Sequence, residues 1–296
     1  MPISSQCPVC ASANTSLFLD GDDSLADSSV GSSRVKLSPG RILRCNACGL
    51  AFRSLRPLPE ELAGLYRDAD DSVYESELPN RFRTGRRHRQ IVERYRRHPG
   101  RLVDVGSASG AFLRIMADAG WSVIGVEPSP SQCERAKKIL GGQGEIRQSV
   151  LEAADLPPGV DLVTLWDVLE HVTEPAAFLT RCSALLKPGG FLALNVPRID
   201  SWIASAMGSK WPLLLAEHLN YFTLKSMRIC ASNAGLEVIG WGSRPVSFSL
   251  EYVCYRLSQH GLPTSGAFIG LLRKLGLQSR SVPIWMGEMY VVCRRS

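Results

Sequence analysis

Four cysteines stand in two Cys-x-x-Cys pairs, Cys7 with Cys10 in CPVC and Cys45 with Cys48 in CNAC. Each pair sits on a turn, marked by Pro8 in the first and by Asn46 and Gly49 in the second. Two such knuckles can place four thiolates tetrahedrally around Zn²⁺, whereas a lone pair would suit redox chemistry equally well. Four sulfur ligands leave no open coordination position, so the expected role is structural. A second chemical locus is LVDVGSASG, Leu102 to Gly110. A short apolar run ends in Gly106 and Gly110, and Phe112, Leu113, Ile115, Met116 and Ala119 then recur at helical spacing. Strand, small-residue turn and helix deliver a ligand to the N–H groups of a helix start. The next apolar run, Trp121 to Val126, ends in Glu127 and Pro128. A carboxylate at that strand tip can accept hydrogen bonds from two ribose hydroxyls.

These residues need a scaffold, and the rest of the chain supplies one. Beyond residue 101 the pattern alternates: helix 131–140, strand 145–149, strand 161–165, helix 178–186, a KPGG turn, strand 191–196, helix 224–234, and strands 237–241 and 289–293. Alternation of this kind predicts an α/β class, a Rossmann-like, seven-stranded and mostly parallel sheet flanked by helices, with ligands outside the carboxyl ends of its strands. The expected organisation is a zinc-binding subdomain over residues 1–56 with a mobile loop at 20–33, a helical cover over 57–100, and the main domain over 101–296. That main domain carries insertions at 199–223 and 248–275. Within the cover, 57–66 reads as a short helix and 82–97 as an arginine-rich one placed to roof the crevice beyond Gly106. The first insertion reads as a lid or substrate wall, with Trp211 and Tyr221 among its candidates. The second offers either the far pocket wall or a homodimer face.

With 296 residues, 45% hydrophobic and 21% charged, the composition is that of an ordinary globular enzyme. No apolar run approaches membrane-spanning length and no basic-then-apolar leader opens the chain, so cytoplasmic residence without membrane partners is expected. The formal charge of +6 is concentrated in the arginines between 81 and 101. They read either as a solvated helix face or as a field that steers an anion.

LVDVGSASGAFL resembles motif I of the class I S-adenosylmethionine-dependent methyltransferases. Glu127 matches the ribose-binding acid of that family, LWDVLEHV (165–172) its stretch after strand four, and LLKPGGFLALNVP (185–197) its helix-to-strand-five passage. EHLNYFTLKSMRICASNAGLEV (217–238) resembles a segment of the small-molecule and sugar-modifying branch, whose members often carry a similar four-cysteine element. The resemblance covers nearly the whole chain. One departure stands out: alanine occupies 108, where the family has glycine. An ordinary backbone angle is expected there, because alanine adopts positive φ less cheaply.

The resemblance implies that Asp104 and the turn through Gly106, Ser107, Ala108 and Gly110 embrace the methionine end of the cofactor. Glu127 would hold the ribose, while Pro128 and Ser149 border adenine. Trp166 and Asp167 would lie beside the sulfonium, where an aromatic face favours a cation, although Trp166 reads equally as a core aromatic. Methyl transfer asks mainly for alignment and often for a base. His171 and His218 are the base candidates for a hydroxyl, and Glu170 the candidate for a carbon-bound proton. Arg83, Arg86 and Arg87 are candidates for engaging a carboxylate, phosphate or diphosphate. The expected reaction is O-methylation of a small natural-product or sugar-like metabolite, an anionic one included. C- or N-methylation of such an intermediate is the alternative. Methylation of nucleic acid is a further alternative, against which LWDVLEH lacks the aromatic-proline tetrad used on bases. A cofactor-binding partner protein without chemistry is the remaining class.

Overall fold

The structure, a computed structural model, describes residues 5–21, 26–30, 33–37, 40–57, 77–259, 270 and 272–296. Its strands in the N-terminal third are β1 (Thr15–Leu19), β2 (Ala26–Val30), β3 (Ser33–Leu37), β4 (Ile42–Cys45) and β5 (Ala51–Arg53). There follow β6 (Arg101–Val105), β7 (Ser122–Glu127), β8 (Glu145–Gln148), β9 (Val160–Leu165) and β10 (Leu186–Pro197). The last are β11 (Asn220–Tyr221), β12 (Leu236–Gly242), β13 (Val246–Ser249), β14 (Ser281–Ile284) and β15 (Glu288–Arg295). The helices are α1 (Leu78–Tyr95), α2 (Ala111–Ala117), α3 (Pro130–Leu140), α4 (Pro175–Leu185), α5 (Trp202–Met207), α6 (Leu224–Asn233) and α7 (Leu250–Gln259).

Seven strands form the central sheet in the order β12-β15-β10-β9-β6-β7-β8. The run from β10 to β8 is parallel, and β15 is antiparallel to both β10 and β12. Strand β9, VDLVTL, is buried along its whole length, as a central parallel strand covered on both faces must be. Because β15 runs backwards, its first residues lie at the carboxyl ends of its parallel neighbours: Glu288 pairs with Pro197 and Tyr290 with Asn195. This register brings a carboxylate to the ligand side of the sheet from the far end of the chain.

Helix α1 differs from the expected roof. Its apolar stripe, Ile91 and Val92, joins Leu102, Leu162, Ala193 and Val292 in one core, so the C-terminal half lies against the sheet face. Gly85 permits this, since a Cβ there would stand 2.8 Å from the Ile115 Cδ1 on α2. Its start and the turns through Arg87 and His88 reach the strand tips, and at the start Glu77 accepts hydrogen bonds from Asn80 Nδ2 (2.8 Å) and from the amide and hydroxyl of Ser249.

The cysteine-bearing segment builds a second sheet, β1-β4-β5-β11, whose last strand comes from the 199–223 insertion. Cys7, Val9, Leu50 and Phe52 share a core with Val103, Leu194 and Met227, so this segment is fused to one face of the main sheet. Part of the stretch expected as a loop pairs instead, Ala26 opposite Leu37 through Val30 opposite Ser33. The helix expected over 57–66 lies outside the described residues, save Pro57. In the second insertion, Phe248 is on β13 and Leu250–Gln259 is helical, while 260–269 and 271 lie outside the described residues. No helix among the described residues is long and apolar enough to cross a membrane.

Candidate active site

The turn after β6 is fastened to β7 before any ligand is considered. Gly106 and Ser107 both donate their amides to the Val126 carbonyl, at 2.8 and 3.1 Å. The Glu127 carboxylate spans the gap between the two strand tips, Oε2 accepting from the Ala108 amide and Oε1 from the Ser129 amide, each at 2.9 Å. Ser149 donates its amide to the Glu127 carbonyl (3.1 Å), which sets it beside Glu127 and the half-buried Pro128. Asp104, buried within β6, accepts from Thr164 Oγ1 at 2.6 Å. Burial raises its pKa to about 7 from 3.8, outweighing the Thr164 hydrogen bond, with the Glu127 charge adding to the rise. The Ser107 hydroxyl is buried with no hydrogen-bond partner.

Two glycines in this turn are obligatory. Gly106 has φ of 73° and a Cβ there would stand 2.6 Å from Val168 Cγ2. Gly110 has φ of 75° and a Cβ would meet Ala136 Cβ at 2.9 Å and its Cα at 3.1 Å. The ordinary angle expected at Ala108 is not found: its φ is 46°, in the left-handed region. The amide bond to Glu127 holds the residue there, and the Cβ strain is carried by the turn.

Asp167, just past β9, is also left-handed at φ 58°. It is held by a reciprocal pair: its amide donates to Asn195 Oδ1 (2.7 Å) and Asn195 Nδ2 donates to its Oδ1 (2.6 Å). The Asp167 charge raises the pKa of both Glu170 and Glu288, to which burial contributes more, and Glu288 reaches about 8. Glu170 is almost fully buried and its Oε2 has no hydrogen-bond partner. Trp166 is a core aromatic, its ring stacked on His88 at 3.8 Å and edge-on to Phe112 at 5.5 Å.

His171 and His218 come together with Glu170, one ligand-capable atom of each lying within 4.8 Å of the others. The imidazoles meet edge to face with centroids 4.7 Å apart. His171 Nδ1 faces the Glu217 carbonyl at 3.1 Å and His218 Nδ1 the Leu213 carbonyl at 2.9 Å. A carbonyl only accepts, so Nδ1 carries the proton in both neutral rings and Nε2 is the basic nitrogen. Burial lowers the His171 pKa to about 4, which keeps it neutral at pH 7. Arg53 donates to the carbonyls of His218 (3.0 Å) and Leu215 (2.8 Å). Arg56 donates to the carbonyls of Val172 and Thr173 and to Asn220 Oδ1. Tyr221 and Trp211, expected in a substrate wall, are fully buried. Tyr221 donates to the Leu215 carbonyl and Trp211 to the Met286 carbonyl, and both belong to the core that the insertion shares with Ile42 and Ala51 of the N-terminal sheet.

Of the three arginine candidates on α1, Arg83 and Arg86 are exposed and Arg87 is half-buried. Arg87 lines a small pocket at the strand tips with His88, Asn195, Arg244, Glu288 and Tyr290. Sequence reasoning passed over His88, Asn195, Arg244 and Glu288. His88 had a signal, since it continues the Thr84–Ile91–Tyr95 stripe of α1; Glu288 had none, because only the β15 register brings it here. The four knuckle sulfurs also converge. Cys7 and Cys48 Sγ are 3.5 Å apart, as are Cys10 and Cys45, and all four lie within 4.8 Å of one another.

A family model described as "Methyltransferase domain" matches residues 75–240, more than half of the chain. The chain belongs to that family. It is an S-adenosylmethionine-dependent methyltransferase of class I, with the Rossmann-like sheet described above. Among curated relatives it is 28% identical over 172 residues to the ubiquinone biosynthesis O-methyltransferase of Nitrosospira multiformis, covering 53% of this chain and 72% of that one. The corresponding enzyme of Bradyrhizobium is 35% identical over 99 residues, or 32% of this chain. The chain spans 39% of that relative's length, less than half. A solved S-adenosylmethionine-dependent methyltransferase from Methanosarcina mazei superposes with a TM-score of 0.49 at 14% identity, over 69% of this chain and 96% of that one.

Two measurements follow from the methyltransferase's turn and strand tips. Gly110→Ala adds positive-φ strain to a backbone collision and is expected to lower the unfolding free energy by about 2 kcal/mol. Ala108→Gly relieves a left-handed alanine and should raise it by up to about 1 kcal/mol; urea titration reads both. The carboxyl pKa values of Asp104 and Glu288 are raised on folding, so the native state binds more protons than the unfolded chain from about pH 4 to 8. These two groups therefore withdraw stability as pH rises through that window. Asp104→Asn and Glu288→Gln should each be more stable than the parent at pH 8, with the advantage vanishing toward pH 4.

Proposed function

We propose that this methyltransferase O-methylates a hydroxyl of a small molecule, with His171 or His218 taking the hydroxyl proton at Nε2. The observation that carries the reading is the pair of imidazoles at the strand tips, each fixed in the Nδ1–H tautomer by a backbone carbonyl. The relatives' O-methyltransferase activity supports the choice of oxygen as acceptor. The cofactor supplies an electrophilic methyl group on a sulfonium when bound. The residues present fit it: an obligate-glycine turn, a buried Ser107 hydroxyl lacking a partner, and a Glu127 carboxylate held at the tip of β7 against the turn. Glu127 would hold the ribose hydroxyls, Pro128 and Ser149 would border adenine, and Asp104 with the turn 106–110 would hold the methionine end. Trp166 and Asp167 close the site on the strand-four side, Asn195 fixing the second. Burial, and after it the Asp167 charge, raises the Glu170 pKa well above the usual carboxyl range, and its Oε2 has no hydrogen-bond partner in the interior.

The knuckle fits a structural Zn²⁺. Tetrahedral Zn–S bonds place sulfurs about 3.8 Å apart, close to the spacing found here. We assign Cys7, Cys10, Cys45 and Cys48 as its ligands. The metal would hold β4 and β5, and with them Arg53 and Arg56, against the segment carrying His218.

With the true acceptor saturating, His171→Ala and His218→Ala are expected to differ: the base variant loses 10²-fold or more in kcat, the other far less. Near-parental kcat in both would remove the general-base assignment, and a product methylated at carbon would move the role to Glu170. Purified protein should contain about one zinc per chain, and Cys45→Ser well under half of one. Chelation should lower the melting temperature and kcat together. Metal-free protein of full activity would reject the assignment.

A further inference from the structure

The pocket beside the strand tips gathers two arginines that no ion pair among the described residues balances. Arg87 enters it from α1 and is anchored through one nitrogen, Nη1 donating to the Pro245 carbonyl (2.9 Å) and to Ser247 Oγ (2.7 Å). Arg244 enters from the segment between β12 and β13 and makes no hydrogen bond or ion pair among the described residues. Partial burial lowers the Arg87 pKa, and the nearby Arg244 charge adds to the fall. The remaining lining does not neutralise them. His88 is uncharged, held to about pH 3 by burial and by Arg87, and Glu288 retains its proton up to about pH 8.

Two like charges held together in a small pocket, with no ion-pair partner among the described residues, form a site for a small anionic group rather than for a macromolecule. Arg87 keeps its other nitrogens for a ligand, and Arg244 keeps all of its donors, the fork geometry that matches a carboxylate or phosphate. The pocket shares a wall with the crevice. Asn195 lines it and at the same time holds Asp167, the residue past β9. An anion between the arginines therefore stands one side chain away from the strand-four tip.

We propose that Arg87 and Arg244 form an oxyanion subsite that selects a methyl acceptor bearing a carboxylate or phosphate group. The subsite rests on the methyltransferase reading above for the identity of its occupant. Its anion is gripped at the pocket end while the rest of the acceptor extends past Asn195 toward the crevice.

Calorimetric titration of the full chain saturated with S-adenosylhomocysteine tests this, using benzoate, phenyl phosphate and uncharged benzamide as probes. At least one anion should bind tenfold or more tighter than benzamide, and added chloride should weaken it. Arg244→Gln should bring that anion down to the benzamide level. Arg244→Lys should keep part of the preference, and Arg94→Gln, an exposed charge on the same helix, should stay within twofold of the parent. Preference for benzoate names a carboxylate, preference for phenyl phosphate a phosphate ester. Anion binding that is absent, no tighter than benzamide, or unchanged in Arg244→Gln overturns the subsite while leaving the methyltransferase intact. If the parent chain does not bind S-adenosylhomocysteine at all, the cofactor reading fails first and the subsite loses its occupant with it.

Discussion

Two buried guanidiniums solvated by backbone carbonyls hold the histidine segments in place. Arg53 and Arg56 are each about 4% exposed, and neither forms an ion pair among the described residues. Burial lowers the Arg56 pKa only to about 10, so the group enters the interior charged. A buried cation needs its hydrogen bonds made, and here they come from two loops: 172–173, directly after His171, and 215–220, around His218. The same demand therefore fixes both imidazoles relative to each other. Asn220 adds a second tie, its Nδ2 donating to the Val172 carbonyl at 2.7 Å. Strand pairing of β5 with β11 aligns the two donors with their acceptors. The cysteine knuckle is thus built into the site's wall, and its integrity bears on where the histidines sit.

At the strand tips buried carboxyls gather. Asp104, Glu127, Asp167, Glu170 and Glu288 converge from strands or strand ends far apart in sequence, and burial with mutual repulsion raises the pKa of those in the interior. The backbone is strained at two of the same places, Ala108 and Asp167, each left-handed and each fastened by a hydrogen bond to a neighbouring strand. Clustered carboxyls and a strained backbone cost stability in an empty site. They are rational where a cationic ligand relieves the charge, because the relief then appears as binding free energy. The pocket beyond Asn195 is the complementary case, its two arginines without an ion pair among the described residues. The two regions meet at one side chain.

What the sequence disclosed follows the range of its physics. The central strands and the helices between them were legible from local periodicity, because burial on both faces leaves runs such as VDLVTL that have few other uses. Glu127 and the glycine turn were legible because strand-tip and turn chemistry is local. The cysteine cluster was legible from spacing. Ala108 was misread because its angle is decided by a bond to Glu127, nineteen residues away. The reach of α1 was misread because Gly85 lets it settle on α2, a fact about the partner helix. Tyr221 and Trp211 were taken for wall residues because aromatic content alone does not tell a pocket from an insertion's core.

Position along the helix, more than arginine content, decides what the basic run does. Arg96 reaches Asp161 at 3.0 Å near the start of β9, Arg89 pairs with Glu93 on the helix surface, and Arg83 bonds back to Asn80. Those contacts are local or lie at the wrong end of the sheet for a ligand. Arg87 differs because the segment after β12 crosses α1 there, and its Pro245 carbonyl and Ser247 hydroxyl hold the guanidinium side-on to the strand tips. That crossing also brings Arg244, so one structural event gathers both charges. It depends on Glu77 capturing Ser249, which docks β13 onto the start of α1. A single buried carboxylate at residue 77 thus decides whether a basic helix is only a solvated surface or one side of a binding pocket.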